Sequence, residues 1–201
     1  MRVLIACESS GTSREAFRAL GHDAWSCDLL PADDGSAYHI QGDAIPVIEE
    51  GTWDMVLAHP PCTHLASAGA KHFAAKRADG RQQQGIDLFL RFAQACEQST
   101  ARWAIENPVG IMSRLYRKPD QIVQPWWFGD SARKSTCLWI QGLPKLYATN
   151  VVDDGGVHVT KSGRRLPRWY NLPPSADRWK IRSKTWPGMA AAMAQQWAGV
   201  A

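Results

Sequence analysis

Two short motifs carry side chains able to do chemistry. In residues 52–66, TWDMVLAHPPCTHLA, an apolar run from Met55 to Ala58 leads to Pro60-Pro61-Cys62. A short apolar run bounded in this way reads as a buried strand. Proline cannot donate to a ladder, so the pair ends the strand. In an open α/β sheet, ligands bind in the crevice beyond the carboxyl ends of the strands. A cysteine held there by a stiff diproline is placed to act as a nucleophile. The competing reading is a small, buried and inert cysteine. Residues 102–105 read as a second short strand, which ends on Glu106-Asn107-Pro108. A carboxyl group at that corner either serves as a general acid or base or caps a turn. His59, Cys62 and His64 form an HxxCxH pattern. No second Cys or His pair at ligand spacing accompanies it, so no metal is expected.

The elements that must position these groups alternate between strand and helix. Residues 2–7 are an apolar strand and 8–13 a small polar turn, from which Ser13 would cap a helix over 14–20 that stops at Gly21. A second strand, 23–28, ends on Asp28. This order of strand, turn, helix, strand and acid is how dinucleotide-type folds hold a nucleoside. Backbone N–H groups of the first turn face the ligand, and the carboxylate takes the ribose hydroxyls. The glycine pattern is not GxGxxG, since only Gly11 is present. Residues 33–41 read as a polar loop, with a possible helical turn reaching Glu50. Residues 63–84 show little apolar periodicity and read as a mobile loop. Ile86, Leu88, Phe89, Leu90, Phe92, Ala93 and Cys96 recur at helical spacing and predict a helix over 86–99. Further strands are expected at 126–128 and 136–140, and a closing helix at 187–197. The fold class that follows is α/β, a doubly wound, mostly parallel sheet. All 201 residues fall in a single domain, with a small basic hairpin-like insertion at about 147–182, where Val157 to Thr160 would be one strand.

Composition narrows the class. Five cysteines, an odd number with no CxxC pair, argue against a disulfide framework and for a reducing cytoplasm. No window is apolar enough for a membrane span or a signal peptide. The net charge of +4 is compatible with a polyanionic partner without demanding one. Arg114 to Lys184 holds most of the basic residues, interleaved with Trp126, Trp127, Trp169 and Trp179. Such a mixture can hold phosphates and stack bases; it can equally be a solvated basic face over core tryptophans.

Pro60-Pro61-Cys62, the Glu106-Asn107 corner and the nucleoside-type turn, in this order along the chain, resemble the cytosine-C5 methyltransferase family. The likeness covers roughly residues 1–145 and 183–199, and it implies the class I S-adenosylmethionine-dependent methyltransferase fold. The family's Glu-Asn-Val corner is Glu-Asn-Pro here. By this resemblance Cys62 adds covalently to C6 of cytosine, and Glu106 stabilises the charge arriving at N3 by protonation or hydrogen bonding; for it to arrive protonated, burial would have to raise its pKa. Arg133 is the candidate contact to the target base. The turn Cys7, Glu8, Ser9, Ser10 and Gly11 would cradle the methionine part of S-adenosyl-L-methionine, although the family's turn is richer in glycine. Asp28, with Leu29 beside it, would take the ribose hydroxyls and Asp43 the adenine amine, Asp43 having an alternative as a loop cap. Pro60 would line the transfer pocket, and residues 184–189 resemble the family's last motif. Methyltransferases that act on amino groups place Asp or Asn before the diproline and an aromatic after it. Here those positions hold His59 and Cys62, which favours carbon as acceptor.

The insertion is short beside the target-recognition region of relatives that act on duplex DNA. The expected partner is therefore a cytosine-containing substrate, DNA or a free deoxycytidine nucleotide, with DNA ahead. A non-catalytic nucleic-acid-binding module of the same fold is the other class of reading.

Overall fold

A computed structural model describes residues 1–175 and 178–199, with the side chains of Trp179 and Lys180 also outside the described part. The chain alternates β1 (Arg2–Ala6), α1 (Thr12–Arg18), β2 (Asp23–Asp28), β3 (His39–Gln41), α2 (Ala44–Glu50) and β4 (Met55–Ala58). It continues through α3 (Phe73–Ala78), α4 (Arg81–Gln98), β5 (Arg102–Pro108), α5 (Met112–Leu115), β6 (Gln121–Val123) and β7 (Thr136–Gln141). The last elements are β8 (Val157–Val159), β9 (Arg165–Pro167), α6 (Arg178–Ser183) and α7 (Pro187–Ala198).

Seven strands form one sheet in the order β3-β2-β1-β4-β5-β7-β6, while β8 and β9 pair separately. Strands β1 to β5 run parallel to one another, and β7 is antiparallel to both β5 and β6. The doubly wound, mostly parallel sheet expected from the alternation is present. Its central strands are buried on both faces, which is why β1 and β4 read as unbroken apolar runs. Leu4, Val56, Trp103 and Ile105 pack on one side with Phe89 and Phe92 of α4 and Ile45 and Ile48 of α2. Val3, Ile5, Met55, Leu57 and Ala104 pack on the other with Phe17 of α1 and Met189, Met193 and Trp197 of α7. Among the described residues no helix is long and apolar enough to cross a membrane.

Three local expectations are corrected. Ser13 does not cap α1: it lies inside the helix, fully buried, and the cap position is Gly11. Residues 63–84 are not a loop throughout. They hold a 3-10 turn at Ser67–His72, then α3 and the start of α4. Polar contacts secure this stretch, Lys76 Nζ donating to the Thr63 carbonyl at 2.6 Å and Gln82 Nε2 to that of His64 at 3.3 Å. Apolar periodicity could not report them. Trp126 to Phe128 is not a strand, because Pro125 opens a 3-10 turn over Pro125–Trp127. The edge strand there is β6. The hairpin within the insertion is present as β8 and β9.

Candidate active site

The register of the parallel strands builds the site's first half. Ala6 lies beside Cys27 on one side and Ala58 on the other. Cys7, Asp28 and His59 therefore leave the sheet at one edge. Cys7 has φ 60°, a left-handed backbone that non-glycine residues seldom adopt, and it turns the chain sharply out of β1. Gly11 closes the turn with φ 72°, and a Cβ there would lie 2.3 Å from Arg14 Nη2. The Glu8 carboxylate points inward, accepting from Ser13 N–H at 2.7 Å and Arg14 N–H at 3.1 Å. It thereby caps α1, and its own N–H donates to the Cys27 carbonyl at 3.1 Å. The Ser10 hydroxyl reaches Thr12 at 3.2 Å, and the Ser9 carbonyl accepts from Asp33 N–H at 2.9 Å.

Asp28 Oδ1 accepts from Leu30 N–H at 2.9 Å, which bends the chain beneath an exposed Leu29. Asp43 is the N-cap of α2, accepting from Ile45 N–H at 3.0 Å. Its alternative as a loop cap is thus realised through one carboxylate oxygen. The Cys7 thiol is pushed far up, first by burial and then by Asp28, Cys27 and Asp43, so these groups converge around it. Cys7 stays protonated and does not compete as a nucleophile.

The second half forms where β4 and β5 end together. Ala58 pairs with Ile105, so His59 and Glu106 follow side by side. His59 Nδ1 lies 3.1 Å from Glu106 Oε2, both side chains being about nine-tenths buried. Asn107 Nδ2 donates to the Pro60 carbonyl at 2.7 Å and locks the two motifs together. The Cys62 carbonyl accepts from the N–H groups of Leu65 and Ala66, each at 3.0 Å, forming a tight turn behind the thiol.

Burial pushes the Cys62 thiol up; Lys134 pulls it down, Glu106 raises it and Arg182 lowers it. Burial also acts to raise Glu106. The His59 hydrogen bond, the charges of Lys134 and His59 and the Thr136 hydroxyl outweigh burial, and hold the carboxyl below its ordinary value. The expectation that burial raises its pKa is therefore corrected: Glu106 rests as a carboxylate.

Arg133 turns away from this centre into an ion pair with Asp154 of the insertion, its Nε 2.6 Å from Oδ2. The cation that bears on both Cys62 and Glu106 is Lys134, whose Nζ lies 3.4 Å from the Arg182 carbonyl. A cavity of about 470 Å³ opens on the side to which Arg133 turns, between Trp126, Trp127, Arg133, Asp154, Pro167 and Tyr170. Tyr170 joins cavity and thiol, because its hydroxyl, raised by burial, is also coupled to Arg182 and Cys62. Lys134, Tyr170 and Arg182 were not singled out as site residues by sequence, whereas His59 reads as a loop histidine or one at the rim of the site.

A sheet ordered β3-β2-β1-β4-β5-β7-β6, with β7 alone reversed, is the class I S-adenosylmethionine-dependent methyltransferase fold. A crystal structure described as a "putative DNA modification methyltransferase encoded within" an E. coli prophage shares it. The two are 16% identical, with a TM-score of 0.51 over 76% of this chain and 52% of that one. The chain thus spans about half the length of that structure, and the likeness is one of fold. No family profile and no curated protein matches the sequence.

The residues present fit the cofactor that this fold implies. The Glu8 carboxylate already occupies the start of α1. The amides of Ser9, Ser10 and Gly11 have no partner among the described residues and remain as donors in the turn. The missing Cβ of Gly11 keeps that turn tight.

Proposed function

We propose that this chain is an S-adenosylmethionine-dependent methyltransferase acting on C5 of cytosine through a covalent Cys62 adduct, with DNA cytosine as acceptor. The observation that carries this reading is one juxtaposition: a thiol and a carboxylate leave neighbouring strand ends and share the field of a single cation, Lys134.

The amides of Ser9, Ser10 and Gly11, with Asp28, Asp43 and Pro60, would hold the cofactor, which supplies an electrophilic methyl group at C5. C5 of cytosine is a poor nucleophile until something adds at C6. Lys134 and Arg182 favour the Cys62 thiolate, and its sulfur forms the bond to C6. Electron density then moves onto N3, where Glu106 meets it. After methylation and loss of the C5 proton, β-elimination breaks the S–C6 bond and frees Cys62. The diproline and the Asn107 bond to Pro60 fix the thiol and the carboxylate relative to one another, so little reorganisation accompanies addition.

A free deoxycytidine nucleotide is the alternative acceptor. The cavity of about 470 Å³, walled by Trp126, Trp127 and Tyr170, favours it, because an aromatic slot suits one base, and the Arg133–Asp154 pair at its side would open to let Arg133 meet the phosphate. The test is transfer of labelled methyl from S-adenosylmethionine to duplex DNA and to deoxycytidine monophosphate, with Cys62→Ala as control. Label in DNA supports the main reading and label in the nucleotide alone the second. No label in either, with nucleic acid still bound, would leave a binding module that has kept the fold.

A further inference from the structure

Among the described residues, the imidazole nitrogen Nε2 of His59 is buried and has no hydrogen-bond partner. The other ring nitrogen meets Glu106 at 3.1 Å. We propose that His59 and Glu106 act as one proton-sharing pair, in which His59 is the positioning residue that hands Glu106 the proton it delivers to N3 of the cytosine ring. This rests on the cytosine reading above.

The tautomer follows from the surroundings. Against a carboxylate, Nδ1 carries the hydrogen and donates to Oε2, leaving Nε2 as a bare acceptor. A hydrogen on Nε2 would be a buried donor with nothing to meet, which costs more. In that resting state the pair has no proton to give, since loss of the Nδ1 hydrogen would leave an imidazolate. One further proton makes an imidazolium beside a carboxylate. A shift along the 3.1 Å contact from Nδ1 to Oε2 turns this into neutral histidine beside protonated Glu106.

The proton delivered to N3 is accounted for within the site. Cys62 gives up its thiol proton on becoming a thiolate, and the pair takes up one. As the S–C6 bond forms, Glu106 transfers that proton to N3. When the S–C6 bond breaks, N3 returns it; the C5 proton displaced by the methyl group is a separate one and leaves to water. The other titratable groups facing Glu106 are Lys134 ahead of β7, Cys62 after β4 and Cys137 within β7. Lys134 opposes the added proton, and a Cys62 thiolate favours it. Activity therefore requires one proton shared between thiol and pair, and falls where that proton is lost or a second is added.

His59→Asn is the discriminating variant. An asparagine amide can still donate to Glu106 but cannot hold an exchangeable proton, so a purely structural role would survive. The expected result is a fall in kcat of tenfold or more on the acceptor that wild type methylates, with KM within about twofold and the alkaline limb of the kcat profile displaced. A folded His59→Asn enzyme with unchanged kcat and limbs would overturn the proposal. NMR of ¹⁵N-labelled imidazole supplies a readout independent of turnover. The Nδ1 resonance of His59 should shift in Glu106→Gln, and an unmoved resonance would overturn the pair itself. Wild type that transfers no methyl would instead overturn the cytosine reading and with it the proton's destination.

Discussion

Cys62 stands under opposed influences, and the balance between them decides its reactivity. Burial and Glu106 keep the thiol protonated, while Lys134 and Arg182 favour the thiolate. Removing the Lys134 charge leaves burial and Glu106 in command. Lys134→Met should therefore slow alkylation of Cys62 by iodoacetamide at neutral pH, by about tenfold for each unit that the pKa rises. The pH dependence of that rate checks the assignment, and a curve superimposed on wild type would remove Lys134 from the site.

Glu106 gives the opposite sign. Its folded pKa is depressed by His59, Lys134 and Thr136, so the stability it contributes is present above the ordinary carboxylate range and is lost as pH falls through the folded value. Urea midpoints measured from pH 7 downward should decline more steeply for wild type than for Glu106→Gln. Parallel declines would contradict the depressed pKa. Cys62 and Glu106 were legible because each sits in a short motif at the end of an apolar run. Lys134 was not, because Arg133-Lys134 offers two adjacent cations and only the fold says which of them faces the sheet edge.

At the scale of elements, the first turn is held by a carboxylate that sequence reasoning assigned to the cofactor. Glu8 satisfies two amides of α1, Ser13 and Arg14, that would otherwise be buried without acceptors. Glu8→Ala should cost roughly 1–2 kcal/mol, the usual worth of an N-terminal cap. Thermal unfolding would register this, and S-adenosylmethionine binding would weaken with it if the turn shapes the pocket.

The closing helix depends on an equally local fact. Gly188, in the first turn of α7, donates its N–H to Asp130 Oδ2 at 2.9 Å, and a Cβ there would sit 1.9 Å from the Phe128 carbonyl oxygen. Gly188→Ala must displace α7 or the turn that holds Phe128, so it should lower the unfolding temperature by several degrees. An unchanged melting curve would show that the contact yields freely. The boundaries of α7 were legible from its apolar Ala-Met composition. Those of α3 and α4 were obscured, because α4 opens on the polar turn Arg81 to Gln84 and the two helices are anchored by Lys76 and Gln82 instead of by an apolar stripe.

At the scale of the whole molecule, the alternation of strands and helices carried the sheet's class into the sequence, because parallel strands buried on both faces leave unbroken apolar runs. The pairing of β7 between β5 and β6 left no such trace, since strand order is set by long-range contacts. Nor could the sequence place the hairpin of β8 and β9, which presents Arg164 of its turn and Arg165 of β9 to solvent. The Thr160 N–H donates to the Arg164 carbonyl at 2.9 Å and Arg164 N–H to Thr160 Oγ1 at 3.0 Å. The turn is thus held by backbone groups and the Thr160 hydroxyl, and the two guanidinium groups can be neutralised without loosening it. If the hairpin tracks a DNA backbone, binding should release one counterion set for each phosphate it neutralises. Arg164→Gln with Arg165→Gln should then flatten the slope of log affinity against log salt by roughly 0.9 for each phosphate that is no longer neutralised, with little change in melting temperature. Fluorescence anisotropy on a duplex, across a series of salt concentrations, measures that slope. An unaltered slope would move the DNA-binding surface off the hairpin. An unaltered slope alongside weakened deoxycytidine monophosphate binding would shift the balance to the mononucleotide, because a few arginines around one phosphate need no duplex to follow.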